Sequence, residues 1–159
     1  MPRVTPPEDS ESLQSRMGAT QPPTIGHHLI SEHRIASFLD PAPERPGRMA
    51  VWSRLTGPLA TSSPQMTPAV IAFLADLVPL AVSAAAGVAG AGTSLDNSLR
   101  VGEAVDSEWV LLEVDADVAV GGYGHGHVRI WSPDGHMVAV GTQSARMFSF
   151  EEFARHLSG

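Results

Sequence analysis

Residues 68–92 read "PAVIAFLADLVPLAVSAAAGVAGAG", an apolar run long enough to cross a membrane and equally able to form the centre of a folded domain. Three features decide against the span. Asp76 and Pro79 interrupt its middle, its end thins into Ala and Gly, and no cationic residues flank it as interfacial anchors. The run therefore reads as a buried helix. Thr67 is placed to cap it, because a Thr hydroxyl can accept one of the N–H groups that a helix start leaves free. Pro68 takes the first helical position, where a missing N–H costs nothing. Apolar side chains occur nearly all round the helix, which predicts enclosure rather than a surface position. Val70, Phe73, Leu74 and Leu77 would each contribute about 1.5–3 kcal/mol on full burial, and Pro79 predicts a kink. The trailing "GVAGAG" imitates part of a dinucleotide fingerprint but follows a helix rather than a strand, so that reading is rejected.

Strands flank this helix. Upstream, "RMAVWSRLTGPL" reads as a strand ending at Gly57-Pro58, with Met49, Val51, Ser53 and Leu55 on one face. Downstream, "TSLDNSLRV" alternates, placing Leu95, Leu99 and Val101 on one face and Ser94, Asp96, Ser98 and Arg100 on the other. "EWVLLEVDADVAV" sends Val110, Leu112, Val114, Ala116, Val118 and Val120 inward and Glu113, Asp115 and Asp117 outward. "GHGHVRIW" and "HMVAVGTQSARM" are joined by "SPDG", whose residues suit a type I turn with Gly135 in the left-handed position. A hairpin so closed pairs Ser132 with His136, Ile130 with Val138 and Val128 with Val140, setting His127 beside Gly141 and His125 beside Gln143. Gln143 then lies on the polar face, as Asp96 and Asp117 do on theirs.

Composition narrows the chemistry. The chain has 159 residues, enough for one domain with a substantial core, and a formal charge of -7, which argues against a nucleic-acid binder. All ten cationic residues are Arg; the absence of Lys excludes Schiff-base chemistry, and the absence of Cys excludes thiol nucleophiles, disulfides and thiolate metal sites. There is no G-x-S-x-G to support a serine hydrolase. No apolar leader is visible at the N-terminus, so a cytoplasmic location is expected, with no membrane partner. Eight of the thirteen prolines precede residue 47. Residues 1–46 accordingly read as a Pro-rich arm, partly disordered, with a short ordered piece around "HHLISEHRIASFL". Residues 47–149 form the domain, and "FSFEEFARHL" makes residues 150–159 a short C-terminal helix.

One strand, a long buried helix and four antiparallel strands wrapping it give an α+β single hotdog with a sheet of about five strands. At this point the residues resemble a family. "AVWSRLTGPL", "PAVIAFLADL", "SLDNSL", "EWVLLEVD" and "VAVGTQSARM" look like the C-terminal half of the thioesterase II type of acyl-CoA thioesterase, a double-hotdog enzyme. The likeness covers about residues 42–148, and "PPEDSESL" resembles the connector between that family's two halves. The resemblance implies hydrolysis of a fatty acyl-CoA to free acid and CoA, without a cofactor, by water that an Asp, a Gln and a Ser or Thr hydroxyl activate. The Asp of "SLDNSL" is Asp96 and the Gln of "GTQSAR" is Gln143. The hydroxyl position falls at Asp117 or Val118, which carry no O–H; Ser98 and Thr142 are the neighbouring substitutes, although alternation sets Thr142 opposite Gln143. With no N-terminal hotdog before it, the domain is expected to pair with a copy of itself or with a second hotdog, unless it is a fragment. A non-catalytic half that binds acyl-CoA or a partner chain is the alternative.

The remaining polar candidates have plain readings beside sharper ones. Asp76, in an apolar helix, either borders a substrate cleft or bonds a nearby backbone amide. His125 and His127 share a strand face, with His136 past the turn; substrate contact by His125 is weighed against a surface cluster, and no further ligand is placed to complete a metal shell. His27, His28 and His33 lie in the arm and read as solvated.

Overall fold

The computed structural model describes residues 1–16, 18, 29–40, 45–57, 65–87 and 90–149. A turn of 3-10 helix at Pro7–Asp9 leads into β1 (Glu11–Ser12), α1 (Leu13–Arg16), β2 (Ser31–Ala36) and β3 (Arg48–Leu55). There follow β4 (Gln65–Met66), α2 (Pro68–Leu74), α3 (Val78–Ala86), β5 (Gly90–Val101), β6 (Val105–Asp106), β7 (Val110–Val120), β8 (Tyr123–Trp131) and β9 (Met137–Ser149). The main sheet is antiparallel, in the order β1-β2-β3-β7-β8-β9-β5; β4 and β6 pair separately. Seven strands replace the expected five because residues read as an arm supply β1 and β2. His33, read as solvated, is instead buried in β2, hydrogen-bonded to Ser31 Oγ and Ser53 Oγ at 2.9 Å each. His27, His28 and the helix expected at 150–159 lie outside the described residues.

The apolar run forms two helices, not one. Thr67 Oγ1 accepts from Val70 N–H, and Pro68 occupies the first turn. Pro79 then imposes the break: it has no N–H to give, and its ring would collide with the carbonyl four residues back. Residues 75–77 form a turn instead, with Leu77 N–H donating to Ala75 O at 2.8 Å, and α3 restarts with Pro79 in its own first turn. Ile71, Leu74, Leu77, Val78, Ala81 and Val82 are buried in a common core with Val51, Leu112, Val114, Val128 and Ile130 of the sheet. The opposite side of the helices is not enclosed: Ala69, Ala72, Ala84 and Ala86 are exposed, since the sheet covers one side. Close approach depends on glycine. A Cβ on Gly124 would strike the Val82 side chain, and one on Gly126 would sit 2.9 Å from Val78 Cγ1.

Three irregularities change which way side chains point, since a slip of one residue turns a strand over. The turn itself forms as expected, with Ser132 N–H donating to His136 O and Gly135 at φ 93°. The register then shifts, so Trp131 faces Met137 while Ile130 faces Ala139, Val128 faces Gly141, His127 faces Thr142 and Gly126 faces Gln143. Val138 and Ala139 are both buried, and the shift is what lets two successive apolar residues enter the core. In β7 a shift between Ala116 and Val118 reverses the faces, so Val118 and Val120, expected inside, are 50% and 70% exposed. In β5 a shift between Ser94 and Asp96 leaves Leu95 as the extra residue.

The outer face of the sheet is partly covered. Val4 and Phe38 bridge and pack with Ala36, Ala50, Trp52 and Leu111, and Trp52 Nε1 donates to Thr5 O at 2.8 Å. The two outward carboxylates of β7 that are buried are both paired, Asp115 with Arg45 and Glu113 with Arg48 at 3.1 Å.

Candidate active site

The break between α2 and α3 leaves Asp76 at the bend, exposed and directly over the far end of the sheet. Beneath it, the shifted register of β9 turns Gln143 inward, 1% exposed, in a row with Gly126 of β8. The Leu95 bulge does the third part of the work. Ser94 pairs with Ala145 and takes the inner face, whereas Asp96, two residues on, pairs with Ser144 and takes the outer one.

These three side chains converge. Gln143 Nε2 donates to Asp76 Oδ1 and to Ser94 Oγ, the latter at 2.7 Å, and Ser94 Oγ lies 3.3 Å from the same carboxylate oxygen. The carboxylate fixes the amide's orientation, because the flipped form would set two acceptors against each other. Gln143 Oε1 is consequently buried with no partner among the described residues. An exposed carboxylate that can take a proton and an exposed hydroxyl, both tied to a buried amide whose oxygen is unsatisfied, can hold and activate a water molecule.

The other candidates do not join this cluster. Asp96 is exposed on the outer face, where it accepts from the backbone N–H of Ser144 at 3.2 Å. Asp117 is exposed at its bulge and takes a hydrogen bond from His127 Nδ1 at 3.0 Å. His125 shares a 3.0 Å hydrogen bond with Ser144 Oγ on the outer face. Ser98 and Thr142 pair with each other on that face as well. Among the described residues, no group of three His, Asp or Glu side chains is arranged to hold a metal. Ser94 is the residue that sequence reasoning missed. Plain alternation puts it on the same face as Asp96, and the only hint was a hydroxyl two residues ahead of an Asp, on the strand that follows the Asp76 bend.

The family described as acyl-CoA thioesterase C-terminal domain matches residues 7–147. The chain belongs to it. Among solved structures, a presumed thioesterase from Novosphingobium aromaticivorans is 28% identical with a TM-score of 0.71, covering 92% of this chain and 53% of its own. A hotdog-fold protein of unknown function from Alicyclobacillus acidocaldarius is 18% identical with a TM-score of 0.70, covering 94% and 55%. The acyl-CoA thioesterase II TesB2 from Mycobacterium marinum is 21% identical with a TM-score of 0.56, covering 94% and 56%. The chain thus spans about half the length of each, and its fold is a hotdog. Comparison with curated proteins found no match.

Proposed function

We propose that this domain hydrolyses acyl-CoA thioesters, with Asp76, Ser94 and Gln143 as the groups that bind and activate water. One observation carries the reading: an amide 1% exposed, held between a carboxylate and a hydroxyl, with its own oxygen left without a partner. Asp76 takes a proton from the water as its oxygen bonds to the thioester carbonyl carbon. Gln143 Oε1 accepts the water's second hydrogen and fixes its lone pair toward the substrate. Collapse of the tetrahedral intermediate breaks the C–S bond, and the proton on Asp76 passes to the departing thiolate, giving acid and thiol. Ser94, which accepts from Gln143, keeps its own proton for the carboxylate or the developing oxyanion. The family's name supports the acyl-CoA substrate; the edge of β5, unpaired among the described residues, and the exposure of Asp76 support a second hotdog, identical or different, as the roof of the site.

The test is thiol release from short, medium and long acyl-CoAs, free of protein background because the chain has no Cys. Release that Asp76→Asn abolishes and Asp96→Asn leaves intact is expected. Release that survives Asp76→Asn refutes the assignment. A second reading, a domain that binds acyl-CoA or a partner without turnover, is favoured by the exposure of Asp76 and Ser94, which lie open to solvent rather than in a closed pocket. Folded protein that releases no thiol from any acyl-CoA would decide for it.

A further inference from the structure

The face of the sheet turned away from the helices carries a second candidate site. Strands β5, β9 and β8 lie side by side, and two adjacent rows of outward residues cross them: Ser98, Thr142 and His127 in one, Arg100, Val140 and Arg129 in the next. These residues line a groove of about 390 Å³. Val140, exposed, forms an aliphatic floor between the two arginine positions.

The charge there runs against the rest of the molecule. On a chain of net charge -7, Arg3, Arg34, Arg45, Arg48 and Arg54 are each hydrogen-bonded to a carboxylate. Arg100 does not: among the described residues it donates only to Ser98 Oγ at 2.8 Å and Leu99 O at 3.3 Å, neutral groups that steady the side chain and leave its charge uncompensated. Arg129 reaches Glu113 only at 4.0 Å, and Glu113 is already taken by Arg48 at 3.1 Å. His127 gives its Nδ1 proton to Asp117, while its Nε2 is enclosed and has no partner among the described residues. The groove therefore presents two Arg and two hydroxyls around an apolar floor.

The geometry points to a binding site for a phosphate ester of the nucleotide type, its phosphates between Arg100 and Arg129 and its apolar part on Val140. Guanidinium forks match phosphate oxygens two at a time, and Ser and Thr hydroxyls complete such shells. The site is independent of the thioester reading, since it lies on the other face of the sheet from Asp76. The ligand has two sources: a free nucleotide, or the nucleotide end of a coenzyme A thioester, the latter resting on the proposed function.

Calorimetric titration of the full chain with pyrophosphate, ADP and coenzyme A tests this. Pyrophosphate and ADP should bind, at least about tenfold more weakly after R100Q plus R129Q, with unchanged affinity in R146Q, whose Arg stacks on Phe148 outside the groove. Coenzyme A binding that tightens beyond ADP and weakens with both the double variant and Asp76→Asn identifies the substrate's own nucleotide. Equal affinity for ADP and coenzyme A, indifferent to Asp76→Asn, identifies a free phosphate ester. Absence of pyrophosphate binding, or equal binding by a double variant with an unaltered melting temperature, overturns the proposal.

Discussion

Replacing Gln143 by Met separates structure from function at the centre of the candidate site. The side chain is 1% exposed, so a residue of similar length but without an amide keeps the space filled. The substitution removes the bonds to Asp76 and Ser94; a neutral one is worth about 1 kcal/mol and one to a charged group about 1.5–3 kcal/mol. Asp76 and Ser94 are both exposed and recover partners from water. On the other side, Gln143 Oε1 has no partner among the described residues, and a buried acceptor so left costs about 1–3 kcal/mol, which the substitution removes. The two sides nearly cancel, so Gln143→Met should change stability by less than about 1 kcal/mol, a melting shift within roughly 2–4 °C for a domain of this size. Thiol release should meanwhile fall by about 10²-fold or more, the scale seen when one preorganised polar group is removed. Scanning calorimetry and a thiol assay on the same sample read both quantities. A loss of more than about 3 kcal/mol with activity retained would show the amide to be a structural tie, and the reasoning would fail.

Four further outcomes follow from the same contacts. Ser94→Ala should reduce thiol release without unfolding the protein, whereas Ser144→Ala, on the outer face and outside the arginine groove, should leave it unchanged; comparison of kcat for the two decides. Ile71→Ala, in the fully buried seam between α2 and the sheet, should cost about 2–5 kcal/mol in urea denaturation. Gly124→Ala forces a methyl group into Val82 and should lower stability by about 1–3 kcal/mol, which thermal melting measures. Glu32 is pushed up by burial but more strongly held down by its hydrogen bonds to Arg34 and Arg54, so its net shift is below the ordinary 4.5. A depressed carboxyl stabilises the fold above its unfolded pKa and loses that contribution as pH falls through the folded value. Glu32→Gln should therefore destabilise by about 1 kcal/mol at pH 7 and by nothing at pH values well below 4.5, as read from denaturation midpoints across that range.

Sequence alone located the helical run, its Thr67 cap, a kink at Pro79 where the structure has a full break, the principal strands and the 132–136 turn, because each has a local cause: a hydroxyl, a missing N–H, an alternating pattern, a glycine in the left-handed region. It assigned Gln143 to the site but put it on the wrong face, and it chose Asp96 over Asp76 as the main carboxylate. Both follow from irregularities that alternation cannot register. A bulge is one residue out of step, and neither Leu95, Asp117 nor Val138 differs in type from the residues of a regular strand. β2 was read as a short ordered piece but not as a strand of the sheet, for another reason. Its inward His33 and Ser31 look polar in sequence but satisfy one another and Ser53 in the fold.

The three residues of the candidate site each stand at a departure from regularity. Asp76 is at the helix break, Ser94 precedes the β5 bulge, and Gln143 follows the register shift of β9. Were β5 straight from Leu99 back to Ser94, Ser94 would share the outer face with Ser98. Were β9 regular from the turn, Gly126 would not face Gln143, and the amide would lie in water. Were the helix unbroken, Asp76 would sit in a continuous backbone ladder rather than on an exposed bend. Bulges and breaks leave backbone groups unpaired, and of the three only the β9 shift also serves the core, by burying Val138 and Ala139 together. Three of them meeting where a carboxylate, a hydroxyl and a buried amide converge are accounted for by the chemistry they assemble, and it is at such places that a periodic reading of sequence fails.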